Sequence, residues 1–479
     1  MKMRIIRPAF LIICLFFLAS CVAPSVQGLQ PLFSPPPDSV ARVLLYLHLK
    51  STIPSDLKFT ITQASLIGGD GSSHDLLKAP VSVSSRDVGD GQIFLTEGFV
   101  APGEYVALRL VFGQASIGRQ QSRRANLILP DKGGEFEAAF NMKLVGRQST
   151  VLGIEWNPAA SIEKRVVFVP SITVEPQRPS ARGLLLYISN SGSNYVTVID
   201  RSLERVVGAV TVGDGPMGMA LNQQKDMLYV LNSRSHNISV IDALYLRLLD
   251  TIEISAGMDP EDMAFMPDER GIIDGKLYVA NRSTDDVIVV DTASSRVMKT
   301  LPVGRRPSFV LANTERREIY VTNELSNTLS IINTVDDVVV ATVRVDARPA
   351  GIAIGNDKIY VFNQGSNSIS VISPSDRDID DTLIVSEPPS RGIKAFDERF
   401  FVLNTLANNM TFFNRHDVLT SIREVGDAPK GIAADEDRNR IYVSNFGSNT
   451  VSIVDPKGEK VVGELTVGSN PYGVLLLDN

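Results

Sequence analysis

From Leu184 to the C-terminus, short apolar runs alternate with polar turn clusters at a regular interval. The pattern aromatic-x-x-Asn recurs seven times inside such runs, at Tyr187/Asn190, Tyr229/Asn232, Tyr278/Asn281, Tyr320/Asn323, Tyr360/Asn363, Phe401/Asn404 and Tyr442/Asn445. Successive steps are 42, 49, 42, 40, 41 and 41 residues. Behind each comes a second run ending in Asp, Asn or Ser: Val196–Asp200, Ile238–Asp242, Val287–Asp291, Leu329–Asn333, Ile369–Ser373, Met410–Asn414 and Val451–Asp455. A third run then leads to a turn carrying Pro216, Pro260, Pro307, Pro349, Pro389, Pro429 or Pro471. Alternation with period two predicts strands, and several short strands per repeat predict one small antiparallel sheet per repeat.

A repeat of this length built from short strands is the sequence signature of a β-propeller. The Tyr-Val-x-Asn motif, the Val-Ile-Asp ending and the Gly-x-x-Pro turn resemble those of the YVTN-repeat propellers, across residues 184–479. The single tryptophan, Trp156, speaks against WD repeats. The phase of the repeat predicts how the ring closes. Tyr187 has no proline turn before it, and the strand after Pro471 has no sheet after it. The two fragments complete each other if the C-terminal strand pairs with residues 184–189, giving a seven-bladed ring without open edges.

Residues 41–175 carry further alternating runs, among them Val43–Leu47, Leu57–Ile61, Tyr105–Val111 and Val166–Val169, separated by turn clusters such as Gly68–Gly71. No stretch has helical periodicity, so an antiparallel β-sandwich of about seven strands is expected. The fold class is therefore all-β. The segment Val100–Leu110, where a Pro-Gly turn precedes a strand opening with Tyr105, resembles bacterial envelope domains with a transthyretin-like sandwich and no established activity. Residues 176–183, with Pro176 and Pro179, read as a linker.

Residues 1–21 have a basic start, an apolar run from Ala9 to Leu18 and then small residues, the layout of a secretory signal. The run is too short for a bilayer span, which needs about 20 apolar residues. Leu18-Ala19-Ser20-Cys21 resembles the bacterial lipobox, in which the cysteine thiol receives diacylglycerol. The remaining 458 residues contain no other cysteine, so Cys21 has no disulfide partner. Acyl chains, at about 0.8 kcal/mol per buried CH₂, would anchor the protein to a membrane. Val22 after the cysteine favours, by resemblance, the outer membrane of a two-membrane bacterial envelope. Residues 22–40, with five prolines and one charge, read as a tether.

Composition narrows the functions. Without residues 1–21, which hold Lys2, Arg4 and Arg7 and no acids, 44 basic residues face 54 acidic ones, a net charge of −10. Such a chain is a poor polyanion binder, which speaks against nucleic acid as a partner. Four histidines leave little to build a metal or haem site, so neither a metal nor a cofactor is expected. The elbow, P-loop, zincin and EF-hand signatures are absent from the sequence.

Alternate connections of a four-strand meander emerge on one side, so the asparagine loops and proline turns share a face. The seven asparagines read as builders of turns rather than a ligand ring, because amide side chains satisfy loop backbone. The positions that break the repeat are more informative. Two residues after the proline, most repeats have glycine (Gly218, Gly351, Gly431, Gly473), whereas Asp262 and Phe309 occupy it in two others and Arg391 follows Pro389. Neighbouring turns add Asp259, Glu261, Arg305, Arg306, Arg348 and Lys430. If these line the channel mouth, an acidic arc and a basic arc form a site for a polar or anionic ligand; the plainer reading is a solvated rim. The expected protein is a monomeric, non-catalytic envelope scaffold binding a protein, glycan or envelope polymer. The alternative is a hydrolase or lactonase-like enzyme using Glu261, Asp262, Arg305, Arg306 and Arg391. The anchor has a direct check: Cys21→Ser should abolish incorporation of labelled palmitate, and retained label would reject it.

Overall fold

The computed structural model describes residues 39–477, except 53–54, 90, 119–123, 130–133, 180–183, 223, 225, 255–258 and 269–273. The signal sequence with Cys21, nearly all of the tether and half of the linker therefore lie outside the described residues.

Among the described residues, the repeat region forms seven four-stranded antiparallel sheets. Six use four consecutive strands, such as Pro216–Asn222, Met227–Asn232, Asn237–Asp242 and Arg247–Glu253. The seventh joins Leu185–Asn190, Tyr195–Asp200 and Arg205–Thr211 to the last strand of the chain, Pro471–Leu477. Leu185 pairs with Leu477 and Tyr187 with Leu475, as the phase of the repeat predicts. Each first strand touches the first strand of the next sheet, and Pro471–Leu477 contacts Pro216–Asn222. The closing strand is also clamped by Arg201, which donates from Nη2 to the Leu477 carbonyl at 2.8 Å. The same guanidinium forms a buried ion pair with Asp435 at 2.7 Å.

The repeat motif has a local physical basis. Six of the seven motif asparagines donate from Nδ2 to a hydroxyl seven residues on. Asn190 reaches Thr197 at 2.8 Å and Asn232 reaches Ser239 at 2.9 Å. Asn323 reaches Ser330 and Asn363 reaches Ser370, each at 2.9 Å. Asn404 bonds Thr411 at 2.7 Å, and Asn445 bonds Ser452 at 2.8 Å. The exception is Asn281, where that position is Ile288; it bonds Thr284 instead. All seven asparagines are buried. The glycine of Gly-x-x-Pro leaves room for the amide: a Cβ on Gly468 would sit 2.6 Å from Asn190 Cγ. The asparagines thus hold loop to strand within a sheet. The expectation that they do so by satisfying loop backbone is corrected in one respect, because at Asn323 and Asn363 the partners are hydroxyls rather than backbone groups.

Residues 41–176 form two main sheets and a two-stranded one, Ile162–Glu163 with Val167–Phe168, around one hydrophobic cluster. One main sheet contains Ile172–Pro176, Ser149–Trp156, Ala41–Leu49 and Gln92–Val100; the other is built on Leu57–Gly68 and Gly103–Gly118. Two further expectations are corrected. The arrangement is not wholly antiparallel, because Ala41–Leu49 runs parallel to Ser149–Trp156. Pro176 ends a strand opposite Leu152 rather than opening a linker.

Every residue of Ala41–Leu49 is buried. Val43, Leu45 and Leu47 face the cluster inside this unit, whereas Leu44 and Tyr46 pack against Leu186, Ile188, Tyr195 and Leu465 of the repeat region. A strand covered on both faces reads as an unbroken apolar run rather than an alternating one. The two parts of the chain therefore share a core.

Ending the chain at Pro471 removes the strand that completes the seventh sheet and its clamp. The truncated protein should lose its cooperative thermal transition, and an unchanged melting temperature would reject the closure. Asp435→Ala should destabilise the full chain by ~1.5–3 kcal/mol, because it removes a buried carboxylate partner of Arg201.

Candidate functional site

The turn before each inner strand is set by backbone chemistry. The residue preceding the proline is left-handed at Gly215, Arg306, Arg348, Ala428 and Asn470. An Asx side chain from the preceding asparagine loop holds it there: Asp285 Oδ1 accepts from Arg306 N at 2.7 Å, and Asn327 Oδ1 from Arg348 N at 2.9 Å. A left-handed arginine costs on the order of 1–2 kcal/mol, and these bonds offset it. Arg306 and Arg348 are thereby aimed at the centre of the face.

There a cavity of about 210 Å³ opens. Its lining comes from two rings of the repeat. The residue immediately after the proline supplies Glu261, Ser308, Ala350, Lys430 and Tyr472, with Ser390 after Pro389. The residue immediately after the motif asparagine supplies Arg282, Glu324, Gln364 and Thr405. Arg306, Arg348 and Arg391 complete it. Five cations therefore surround two carboxylates.

Of the sequence candidates, Glu261, Arg306, Arg348, Arg391 and Lys430 are brought together here. Asp262 lies beneath the cavity, lining a deeper channel of about 530 Å³ along with Phe309 and Arg391. Asp259 and Arg305 are not part of either cavity. Both are exposed, and Arg305 turns back to the Leu325 carbonyl at 3.3 Å. The motif asparagines Asn190, Asn232, Asn281, Asn323, Asn363, Asn404 and Asn445 line neither cavity. Asn323 and Asn363 show why: each amide points back into its own sheet, while the next residue, Glu324 or Gln364, reaches the mouth. The expected separation into an acidic and a basic arc is also corrected, because the charges interleave. Arg282 pairs with Glu261 at 2.6 Å and Glu324 at 3.3 Å, and Glu324 also takes Arg306 at 3.3 Å and Arg348 at 2.8 Å.

Arg282, Glu324 and Tyr472 were missed by reasoning from the proline turns and glycine positions. For Arg282 and Glu324 the signal existed one residue past the motif asparagine, whereas Tyr472 stands one residue past Pro471, as Glu261 and Lys430 do past their prolines. The column after the asparagine reads Ser191, Ser233, Arg282, Glu324, Gln364, Thr405 and Phe446, with charge in two adjacent repeats only.

The floor of the mouth is a stack centred on Arg391. Its guanidinium lies 4.8 Å from both the Phe309 and Tyr472 ring centres and donates to the Tyr472 hydroxyl at 2.8 Å. That hydroxyl donates to Glu261 Oε1 at 3.1 Å. Gly351 and Gly431 show why glycine prevails at the equivalent position elsewhere. A Cβ on Gly431 would collide with the Tyr472 carbonyl, and one on Gly351 would meet the Ser390 carbonyl at 2.6 Å.

Burial governs the protonation of the site. It raises Glu261 against the pull of Arg282 and Arg391. It lifts the Tyr472 hydroxyl well above its usual value, despite Arg391. It lowers Lys430, helped by repulsion from Arg391. Arg391 is held above its ordinary value although burial opposes this, because Tyr472, Asp262 and Glu261 surround it. Lys430 makes no hydrogen bond or ion pair among the described residues, and Arg282 Nε is buried without a hydrogen bond. The Lys430 ammonium therefore remains for a ligand oxygen in the cavity.

Burial also raises Asp262 from 3.8 to about 6, against Arg391. The folded protein holds this proton more tightly than the unfolded chain does. Its stabilising contribution is therefore full below pH 3.8 and is lost as the pH rises through about 6. Asp262→Asn should remove that slope from a plot of melting temperature against pH, whereas parallel profiles would contradict the assignment.

Comparison with known proteins agrees with this architecture. A functionally unknown protein from Desulfotomaculum acetoxidans superposes with a TM-score of 0.53 at 12% identity, over 61% of this chain and 98% of the other. A putative 6-phosphogluconolactonase from Bacteroides uniformis superposes with a TM-score of 0.53 at 14% identity, over 62% and 99%. At these identities the likeness concerns the fold alone. A PE-PGRS family protein of Mycobacterium tuberculosis is 50% identical over 46 residues, so the chain spans about a tenth of that relative's length. A family model matches residues 180–479, and by that match the chain belongs to the YNCE-like β-propellers.

Proposed function

We propose that this chain is a lipid-anchored bacterial envelope protein whose propeller binds a small anionic ligand at its channel mouth. In this reading the seven sheets are the blades of one closed ring with YVTN-type repeats, and residues 41–176 are a β-sandwich that supports it. Acyl chains on Cys21 attach the protein to the membrane.

The observation that carries the ligand reading is the cavity itself. Arg282, Arg306, Arg348, Arg391 and Lys430 outnumber Glu261 and Glu324 in about 210 Å³, a volume suited to a phosphate, a carboxylate or one acidic sugar. A recess with convergent polar groups and perturbed protonation is where a ligand site is expected. This favours a small molecule over the protein or envelope-polymer partner that the sequence first suggests. Asp262, close to neutral pH and beside Arg391, would be the general base if a hydrolytic or lactonase-like reaction takes place there.

The test is calorimetric titration of the acylated protein in neutral detergent micelles with inorganic phosphate and with citrate. Saturable binding that weakens with added salt is expected. Each charge-assisted hydrogen bond contributes ~1.5–3 kcal/mol. An Arg348→Ala/Lys430→Ala variant should therefore bind at least about tenfold more weakly, with its melting temperature close to the parent's. No binding of either anion, or equal affinity in the variant, would reject the site.

A further inference from the structure

The first described strand, Ala41–Leu49, is fixed against the propeller at both ends, and the contacts give its direction. At its start, Arg42 donates from Nη1 to the Ser193 carbonyl at 2.7 Å, in the loop that follows Asn190. Ser149, the register partner of Arg42, has its hydroxyl 2.7 Å from that of Thr211, the last residue of its strand. Thr211 pairs with Tyr195, so both contacts lie at the end of the sheet that bears the asparagine loop. That is the face on which the mouth opens. Near the far end of the strand, Gln92 pairs with His48 and accepts from Val206 N at 2.8 Å, at the start of Arg205–Thr211. The chain therefore enters the fold on the mouth side and runs toward the opposite face.

We propose that the mouth faces the bilayer in which Cys21 is anchored, and that its pocket takes the phosphate headgroup of a membrane-resident molecule. This rests on the anchored, anion-binding reading above and adds the orientation and the source of the anion. Residues 22–38, at most ~3.6 Å each when extended, reach about 60 Å. Leaving on the mouth side, this length lets the mouth approach the membrane directly. Presenting the opposite face would use about 23 Å of that reach in running back along strands of seven residues. The proline turns on the same face also carry Asp214, Asp346 and Asp427. The face is therefore no uniformly basic surface, and an anionic headgroup would be recognised one at a time, in the recess with Lys430, Arg306 and Arg348.

Energy transfer to a headgroup-labelled acceptor lipid tests this on the acylated full chain. Once Cys21 is acylated, a single introduced thiol can be labelled selectively. Leu406→Cys places the donor in the loop after Asn404 on the mouth face; Val418→Cys places it in a turn at the opposite end of the same sheet. Both positions are exposed, at 72% and 57%. In phosphatidylcholine vesicles, transfer from Leu406→Cys should exceed that from Val418→Cys several-fold. Phosphatidylglycerol should raise it further, and Arg348→Ala/Lys430→Ala should remove that increment. Equal transfer from the two positions, or more from Val418→Cys, would overturn the orientation. Inorganic phosphate bound without any phosphatidylglycerol effect would make the ligand a soluble anion and overturn the headgroup assignment. Absent palmitate labelling would mark failure of the anchor, and absent phosphate binding in micelles would mark failure of the pocket.

Discussion

The architecture depends on one antiparallel pairing, between the last strand of the chain and the strand that opens the repeat region. The backbone ladder from Leu185–Leu477 to Asn190–Pro471 joins residues almost three hundred positions apart. Without it, two first strands would lack a neighbour and the seventh sheet would have an open edge. With it, every first strand has a neighbour on each side. The approach is close enough that a Cβ is excluded at Gly351 and Gly431. Arg201 reinforces the seam by holding the terminal strand to Asp435 of the adjacent sheet.

The mouth is a by-product of that closure. Six repeats deliver the residue after the proline to the mouth, and four deliver the residue after the asparagine. Most are small or uncharged polar residues, and the lining becomes a site only where neighbouring repeats depart from that pattern. Arg282 and Glu324 do so in consecutive repeats, and Glu324 then gathers Arg306 and Arg348. Below them, Asp262, Phe309 and Arg391 replace the spacing glycine and meet as the floor. Repulsion among the cations is relieved by the two carboxylates. Lys430 forms no direct ion pair with either carboxylate, and burial, helped by Arg391, lowers its proton affinity against their pull.

The N-terminal unit is more than a spacer. Leu44 and Tyr46 close part of the core of the first and last sheets, and Gln92 bonds the Val206 backbone. This fixes the direction in which the chain enters the propeller, and with it the side from which any anchor is reached.

The period, the strands within each repeat, the structural role of asparagines such as Asn323 and Asn363 and the partner of the final strand were all legible in one dimension. They are local consequences of alternation, turn chemistry and phase. Glu261, Asp262, Arg391 and Lys430 also stood out, as departures from a repeated pattern. Which charged residues share a cavity emerged only in three dimensions. Arg305 and Arg306 are neighbours in the chain, yet only Arg306 enters the mouth, held left-handed by Asp285. The run Val43–Leu47 reads in the sequence as one more alternating strand, and its burial on both faces was settled only by packing between distant segments. Side-chain direction around a ring axis depends on closure of the whole circle, which no single repeat encodes.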